Sequence, residues 1–369
     1  MITIAIKNLL SEKVRFGAPV MGVAFSVFLI AFFLSLFRGF TNEIDDYIES
    51  VPADLWVVQQ GTHDFLGVSI LPETTAAVLR GQLVAEGGEV SSLISRPVDM
   101  IADGERISSH VIGYDTAVGL GGPNVTRGKA TPGAGEIIID TVLAKLEGLD
   151  IGDSVTVGVR GFQVVGISEG GNFVFTQLAY LPIEEAREAL GMDGVTNFIL
   201  IRLEDPQQAG AVKTIIEDST PFVQAFPREE FIDNTRTELT RTLVPLLAAI
   251  IIVGFIVGCG VVGLTIYTLT IERIREYGIL KAVGHTTQDL FQIVIEQSII
   301  ASVIGFGVGV LLVLAAGRLQ QVWLPQFATA LELKDLAGVF GATLVMAVVA
   351  SFVPIRRLAN LDPVAVFNP

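Results

Sequence analysis

The sequence has 369 residues, of which 51% are hydrophobic and only 17% are charged, and its mean hydropathy is +0.61. Soluble domains carry about 25% charged residues, so this composition excludes an ordinary cytosolic enzyme and a soluble secreted protein. The formal net charge is −15. Residues 41–240 hold 12 basic and 31 acidic side chains, a net charge of −19, and such an acidic block repels nucleic acid and anionic lipid surfaces.

Four windows contain no Asp, Glu, Lys or Arg: residues 16–37, 242–271, 297–317 and 336–355. Each is long enough to cross about 30 Å of hydrocarbon as a helix that rises about 1.5 Å per residue. We therefore expect an α-helical membrane protein with four transmembrane helices and a large extracytoplasmic α+β domain inserted between helices 1 and 2. The first window is longer than the roughly 7–15 apolar residues of a signal peptide, so we expect it to be a retained helix.

The windows divide the chain into predicted segments. Apolar residues at helical spacing, with basic residues beside them, predict an interfacial helix at 1–15. The further segments are transmembrane helix 1 and a stalk (16–50), the external domain (51–227), a stalk and transmembrane helix 2 (228–271), a cytoplasmic coupling helix and loop (272–296), transmembrane helix 3 (297–317), a short external loop (318–335), transmembrane helix 4 (336–355) and a cytoplasmic tail (356–369).

The basic residues that flank the helices predict the orientation. Segments 1–15, 272–296 and 356–369 together carry eight Lys and Arg, against two in 318–335. The positive-inside rule then places both termini in the cytoplasm. We expect a multi-pass protein of the bacterial cytoplasmic (inner) membrane.

The external domain shows both kinds of secondary-structure pattern. Alternating apolar residues bounded by turn residues predict strands, and helical periodicity that starts near proline or a capping residue predicts helices. The predicted strands are 54–58, 90–101, 107–114, 136–140, 154–159, 162–167 and 197–203, and the predicted helices are 72–80, 141–147, 183–190 and 206–219.

Two catalytic motifs match only in part. Residues 166–170 fit Gly-x-Ser-x-Gly, but a nucleophile elbow needs a helix directly after it, and Gly171 follows. Residues 121–130 resemble a phosphate-binding loop, but Pro123 and Ala130 stand where that loop needs Gly and Ser or Thr. The three histidines are far apart and form no zinc motif. We expect a non-catalytic chain without a metal or a cofactor of its own.

The loop after the second window is the most informative segment. Residues 272–284 read ERIREYGILKAVG, which predicts a short amphipathic helix that Gly284 can end. A solvated turn would explain the charges but not the apolar face. A docking helix for a cytoplasmic partner explains both.

Residues 272–297, ERIREYGILKAVGHTTQDLFQIVIEQ, resemble the signature loop of FtsX-like permeases of ABC transporters, the group that includes MacB and the lipoprotein-releasing permeases. Residues 354–366, PIRRLANLDPVAV, resemble the closing motif of that family. The N-terminal segment 7–10 with Arg15 also fits. Segments 135–140, 149–153 and 162–167 are similar to its membrane-proximal external subdomain.

The resemblance implies a permease that works as a homodimer, or with a related permease, above two separate ABC-type ATPase subunits that bind ATP and Mg. ATPase closure would move the coupling helix, and helices 1 and 2 would pass that motion to the external domain. The residues implied in coupling are Glu272, Arg273, Arg275, Glu276, Tyr277, Gly278, Lys281 and Gly284.

Small residues recur in the first three windows. Ala18, Gly22 and Ser26 lie four residues apart, and so do Gly254 and Gly258 in the second window and Gly305 and Gly309 in the third. Small residues let helix backbones approach closely, which predicts helix packing in a dimer. The alternative is that glycine is simply common in membrane helices.

The substrate is left open by the sequence. Glu43, with Phe37 and Phe40 nearby, predicts a contact for an amphipathic ligand at the outer leaflet, haem among them; an acidic stalk face is the alternative. Haem, lipid, lipoprotein and antimicrobial peptide all fit, with membrane lipid as a further partner. The rival function is a signalling permease that activates an extracytoplasmic partner such as a cell-wall hydrolase.

Overall fold

The computed structural model describes residues 13–83, 88–170, 172–173, 176–324, 327 and 329–359. The chain divides into two units. The helical unit comprises Met1–Arg38, Leu243–Trp323 and Thr329–Pro369, and the α+β unit comprises Gly39–Thr242 with Leu324–Ala328. Most of the predicted interfacial helix at 1–15 and of the predicted tail at 356–369 lies outside the described residues.

Helices and strands alternate through the α+β unit, and helices make up the helical unit. The helices are α1 (Lys13–Ser50), α2 (Glu73–Leu83), α3 (Thr141–Glu147), α4 (Ile183–Leu190), α5 (Ala209–Ser219), α6 (Arg228–Glu272), α7 (Ile274–Ala282), α8 (Thr287–Trp323) and α9 (Leu333–Ala359). The strands are β1 (Leu55–Gln59), β2 (Leu71–Pro72), β3 (Glu89–Ala102), β4 (Glu105–Tyr114), β5 (Asn124–Gly128), β6 (Glu136–Asp140), β7 (Ser154–Val157), β8 (Arg160–Glu169), β9 (Asn172–Phe173), β10 (Thr176–Pro182), β11 (Val195–Thr196), β12 (Phe198–Arg202) and β13 (Val223–Pro227).

Within the described residues, four helices are long and apolar enough to cross a membrane: α1, α6, α8 and α9. The α+β elements lie between the first and second of them, so the predicted fold class is confirmed. Several helix bounds differ from the predicted segments: α8 runs on to Trp323, past the predicted 317, and α9 spans Leu333–Ala359 where 336–355 was predicted. Helix α8 begins at Thr287, because the charged residues of its first turns are compatible with a helix even though they interrupt the apolar window.

The small residues of α1 and α6 pack helices within this chain. A Cβ atom at Gly258 would lie 2.7 Å from the Ser26 Oγ of α1, and one at Gly254 would lie 3.3 Å from the Ile30 Cγ1. A Cβ at Gly22 would meet Val261 of α6. Of the residues in these two helices that were predicted to pack in a dimer, Gly22, Ser26, Gly254 and Gly258 therefore bring α1 and α6 together, and Ala18 is exposed.

Helix α8 approaches the same helix α1 as closely. A Cβ at Gly305 would lie 2.9 Å from the Val20 carbonyl oxygen, and one at Gly309 would lie 2.8 Å from the Ala24 carbonyl oxygen. Backbone meets backbone at both places, so these two predicted packing positions also join helices of the same chain. Close approach of this kind maximises van der Waals contact where lipid removes the hydrophobic driving force.

An ion-pair cluster joins α1 to the start of α9 within the helical unit. Arg38 donates from Nε and Nη2 to the two oxygens of Asp335, both at 2.6 Å, and from Nη1 to Glu332 Oε1 at 2.8 Å. Asp335 is only 9% exposed. Paired hydrogen bonds from one guanidinium to one carboxylate are among the strong polar contacts in proteins.

The α+β unit contains two lobes. In the first, the order β1–α2–β3–β12–α5–β13 is βαββαβ, and the strands pair antiparallel in the order β13–β1–β12–β3. This arrangement is the ferredoxin-like split βαβ. Its core consists of apolar residues from the sheet and the two helices, Leu79 and Ile216 among them. We call it the split-βαβ lobe.

The second lobe is a closed ring of six strands. Pairing runs β3–β4–β10–β6–β8–β7 and returns to β3. Pairs β4–β10 and β6–β8 are parallel and the others are antiparallel. Closure removes sheet edges, and the interior is filled by a separate apolar core that includes Met100, Val111 and Ile139. We call it the barrel lobe.

Strand β3 belongs to both lobes. Its first residues, from Glu89 to Leu93, pair with β12, and Leu93 to Ala102 pair with β4. Near the middle, Ser95 Oγ lies 2.7 Å from His110 Nε2 on β4. His110 is buried, and burial lowers its pKa to about 4 because the protonated ring would lose its hydration.

The glycine contacts predict that alanine costs more stability at Gly309 of α8 than at Gly307 of the same helix. Gly309→Ala should destabilise the helical unit by about 1–3 kcal/mol, since the new methyl group collides with Val27 and with backbone of α1. Gly307→Ala is the matched control, because a Cβ there meets no atom within 4 Å. Thermal unfolding in detergent measures both. Equal losses would contradict the close approach.

The Arg38 cluster predicts a second effect on stability. Arg38→Gln should cost roughly 2–4 kcal/mol, because the buried Asp335 carboxylate loses its partner. Lys334→Gln is the control, since it removes the exposed Lys334–Glu332 pair, and such pairs contribute less than about 1 kcal/mol. A melting temperature that falls as far in the control as in Arg38→Gln would show that the cluster adds nothing beyond surface charge.

His110 predicts a pH dependence of the α+β unit. Its pKa is lower in the folded state than the ordinary 6.5, so the unfolded state binds more protons between pH 6.5 and 4, and stability falls as the pH falls through that range. From pH 7.5 to 5 this histidine should remove about 2 kcal/mol from the free energy of unfolding.

Urea unfolding of a Trp323→Phe variant in detergent, followed through the fluorescence of the buried Trp56, measures this loss. His110→Gln is the control for all other titrating groups. An identical pH dependence in the two proteins would contradict the assignment to His110.

Candidate functional site

The coupling segment is built around α7, which lies between α6 and α8 in the helical unit. Helix α6 ends at Glu272, and Arg273 follows with φ −102° and ψ 18°, outside the α-helical region. Helix α7 then begins at Ile274. The sequence predicted one helix from 272 to 284; the structure breaks it at Arg273 and keeps its first residue in α6.

The C-terminal end of α7 is fixed by a Schellman motif. The His285 N–H donates to the Leu280 carbonyl at 3.0 Å, and the Gly284 N–H donates to the Lys281 carbonyl at 3.2 Å. Gly284 has φ +109°, a conformation in which a side chain is strained. Glycine is therefore needed at position 284 because the backbone conformation there strains any residue with a side chain.

The next helix starts with a reciprocal cap. The Thr286 N–H donates to Asp289 Oδ2 at 2.8 Å, and the Asp289 N–H donates to Thr286 Oγ1 at 3.3 Å. This is a capping box with Asp in place of Glu or Gln. With the Schellman motif, it fixes the backbone on both sides of His285.

One face of α7 is packed into the helical unit. Tyr277 is buried in a core with Leu290 and Ile293, and it forms a hydrogen bond with the Gln297 side chain. Burial raises the pKa of its phenol. Gly278 is also buried. Two of the eight residues predicted to contact an ATPase therefore position α7 instead of forming its outer surface.

The opposite face of α7 combines charge with apolar surface. Of the predicted coupling residues, Glu272, Arg275, Glu276 and Gly284 are exposed, and Arg273 and Lys281 are half-buried. Arg273 pairs with Glu276 at 3.6 Å.

Two apolar side chains also belong to this outer surface and were not among the predicted coupling residues. Ile279 is 47% exposed and Val283 is 79% exposed. Their sequence signal is present but ambiguous, since apolar residues beside a membrane helix also fit contact with lipid. A surface of this mixed kind suits docking of another protein.

The predicted ligand contacts all lie on α1. Phe37 and Glu43 are half-buried, and Phe40 is 4% exposed. The three residues remain a prediction.

Comparison with known proteins matches two family models. Residues 19–219 match the MacB-like periplasmic core domain, and residues 247–363 match the FtsX-like permease C-terminal region. The first match covers most of α1 and of the α+β unit, and the second runs from within α6 through the coupling segment to the end of α9.

Relatives of known sequence agree with these matches. A macrolide export ATP-binding/permease protein MacB of Acinetobacter baylyi is 28% identical over 63% of this chain, and the match covers 37% of that protein. The chain thus spans little more than a third of the length of the MacB relatives it matches. An ABC transporter permease of Mycobacterium tuberculosis is 24% identical over 100% of this chain and 99% of its own length.

A solved structure shows a weaker likeness. The crystal structure of the periplasmic region of MacB from Actinobacillus actinomycetemcomitans aligns with 49% of this chain and 92% of its own, with 12% identity and a TM-score of 0.39.

Proposed function

Since this chain belongs to the ABC transporter permeases of the MacB/FtsX type, with a MacB-like periplasmic core domain and an FtsX-like permease C-terminal region, we propose that its outer α7 surface docks a separate ABC-type ATPase. ATP hydrolysis in that subunit then drives a conformational change in this chain. The ATP and Mg bind to the partner, and this chain acts as its non-catalytic membrane subunit.

The observation that carries the proposal is the two-sided burial of α7. Tyr277 and Gly278 hold one face in the helical core, while Ile279 and Val283 stay exposed on the other. Exposed aliphatic side chains on a helix fixed at both ends cost solvation unless a partner covers them. A helix that is held rigidly on one face and exposes charged and apolar side chains on the other can bind a partner and transmit the partner's movement to the helices it packs against.

Helices α1 and α6 are the proposed transmitters. Each is continuous and has residues in both units, and α6 ends one residue before the break that precedes α7. A force on α7 therefore reaches α6 through the single residue Arg273. We place both termini and α7 in the cytoplasm, the α+β unit outside, and two copies of the chain in one transporter.

The proposed transport task is export or extraction of a hydrophobic or amphipathic substrate. Four apolar helices and a MacB-like periplasmic core domain indicate a bacterial inner-membrane protein. The names of its relatives include exporters of macrolides and of syringafactin. These names support a broad amphipathic class for this chain and no particular compound.

Purification of the tagged chain from membranes of its native host tests the coupling. In mild detergent the wild-type chain should co-purify with a Mg-dependent ATPase. The double variant Ile279→Asp, Val283→Asp should lose at least tenfold of that activity, because each carboxylate would be buried against apolar surface on docking, at a cost of roughly 1–3 kcal/mol.

Leu333→Asp is the matched control, since Leu333 is 81% exposed on the helical unit outside the coupling segment. Both variants should keep the wild-type melting temperature. Undiminished ATPase in the double variant, or an equal loss in the control, would reject α7 as the docking surface.

A further inference from the structure

A cleft of about 460 Å³ lies where the two lobes of the α+β unit meet. The loop between β1 and β2 forms one wall. The middle of β3, His110 on β4 and the start of β12 form the other. Ligand sites in proteins are commonly clefts of about 300–1,000 Å³ at the junction of two structural units.

The floor of the cleft is aromatic and closely packed. Phe65 and Phe198 stack with ring centroids 5.0 Å apart and an interplanar angle of 15°. Trp56 meets both rings edge-on, each at 5.8 Å. All three side chains are buried in the core below. The floor is therefore rigid, and its chemistry suits an apolar group.

The loop wall is held in place by its own hydrogen bonds. Asp64 Oδ1 accepts from the backbone N–H groups of Leu66 and Gly67, at 2.8 and 2.7 Å. Thr62 Oγ1 donates to the Val68 carbonyl at 2.8 Å. This bonding keeps Val68 77% exposed at the rim. An aliphatic side chain fixed in water in this way is available to a ligand at no cost in ordering the loop.

The strand wall supplies neutral polar groups. Ser95 and His110 face each other across β3 and β4 at 2.7 Å, and Asn197 Oδ1 accepts from the Ser95 N–H at 2.9 Å. Because the pKa of His110 is lowered to about 4, its ring is neutral near pH 7. These groups can offer hydrogen bonds but no charge.

The charge at the cleft is positive within a strongly acidic block. Arg96 is the charged residue among those that line it, and Arg96 forms no ion pair with any residue that the structure describes. No carboxylate lines the cleft in the described part of the chain. Asp64, next to the lining residue Phe65, is 5% exposed, and its Oδ1 accepts hydrogen bonds from the loop backbone.

We propose that the cleft binds an amphipathic anion, with its acyl or aromatic part between the β1–β2 loop and the Phe65–Phe198 floor and its carboxylate or phosphate at Arg96. A cation of the same shape finds no counter-charge there. Binding requires neither an ATPase nor α7, so failure of this proposal would leave the proposed coupling function untouched, and the reverse also holds.

Equilibrium dialysis with radiolabelled octanoate tests the site on the full chain in nanodiscs at pH 7.5, with empty nanodiscs as the blank for partition into lipid. Octanoate should bind saturably with a Kd of roughly 1 mM, as expected for about ten non-hydrogen atoms. Octylammonium has the same chain with opposite charge, and it should compete at least tenfold less well.

Two matched pairs of variants locate the binding. Arg96→Gln should weaken octanoate binding about tenfold, whereas Arg106→Gln, an exposed arginine outside the cleft, should leave it within twofold. Val68→Glu should weaken it by a similar factor, whereas Val159→Glu, at a position 87% exposed elsewhere in the unit, should not. All four positions are exposed, so the variants should fold.

Three results would overturn the proposal: no saturable binding above the blank, equal competition by octylammonium, or equal effects within either pair. Weaker binding in Val68→Glu together with unchanged binding in Arg96→Gln would also overturn it, because the anion would then be held by something other than the arginine.

Discussion

The helical unit depends on the closeness with which α6 and α8 approach α1. Lipid offers apolar side chains the same surroundings that a neighbouring helix does, so contact area and polar pairing must hold the helices together. Glycines at 258, 305 and 309 allow that contact, since a Cβ at any of them would collide with α1 or with a residue packed beside it. Arg38 adds the polar pairing, to the start of α9. Helix α1 thus contacts each of the other three membrane helices.

That packing gives the coupling segment a fixed support. Tyr277 ties α7 to the core of the helical unit, and the turn at Gly284 and the cap at Thr286 set the path of the chain into α8. A loop without these restraints would change its own conformation when displaced and would transmit little of the displacement. With them, displacement of α7 must move the helices on either side. In the proposed coupling, this burial pattern lets so short a helix pass a displacement to its neighbours.

The sequence predicts most of this, and its failures have physical causes. Charge-free windows identify the four membrane helices because burying a charge in hydrocarbon is costly. Strand β10, at the centre of the barrel lobe, was not among the predicted strands. Because both faces of this strand are buried, it shows no alternation of polar and apolar residues. Small residues in α1, α6 and α8 were assigned to a dimer because spacing alone cannot tell a neighbour in the same chain from one in another. The cleft has no sequence signal, since Phe65, Arg96 and Asn197 come together only when the strands pair.

Strand β3 has a mechanical consequence. Its residues bond to β12 in one lobe and to β4 in the other, so no flexible linker separates the lobes along this strand. Relative rotation of the lobes would have to twist or shear a continuous hydrogen-bonded ladder. A force applied to the split-βαβ lobe is therefore transmitted through β3 to the strands of the barrel lobe. The two lobes have no hinge along β3.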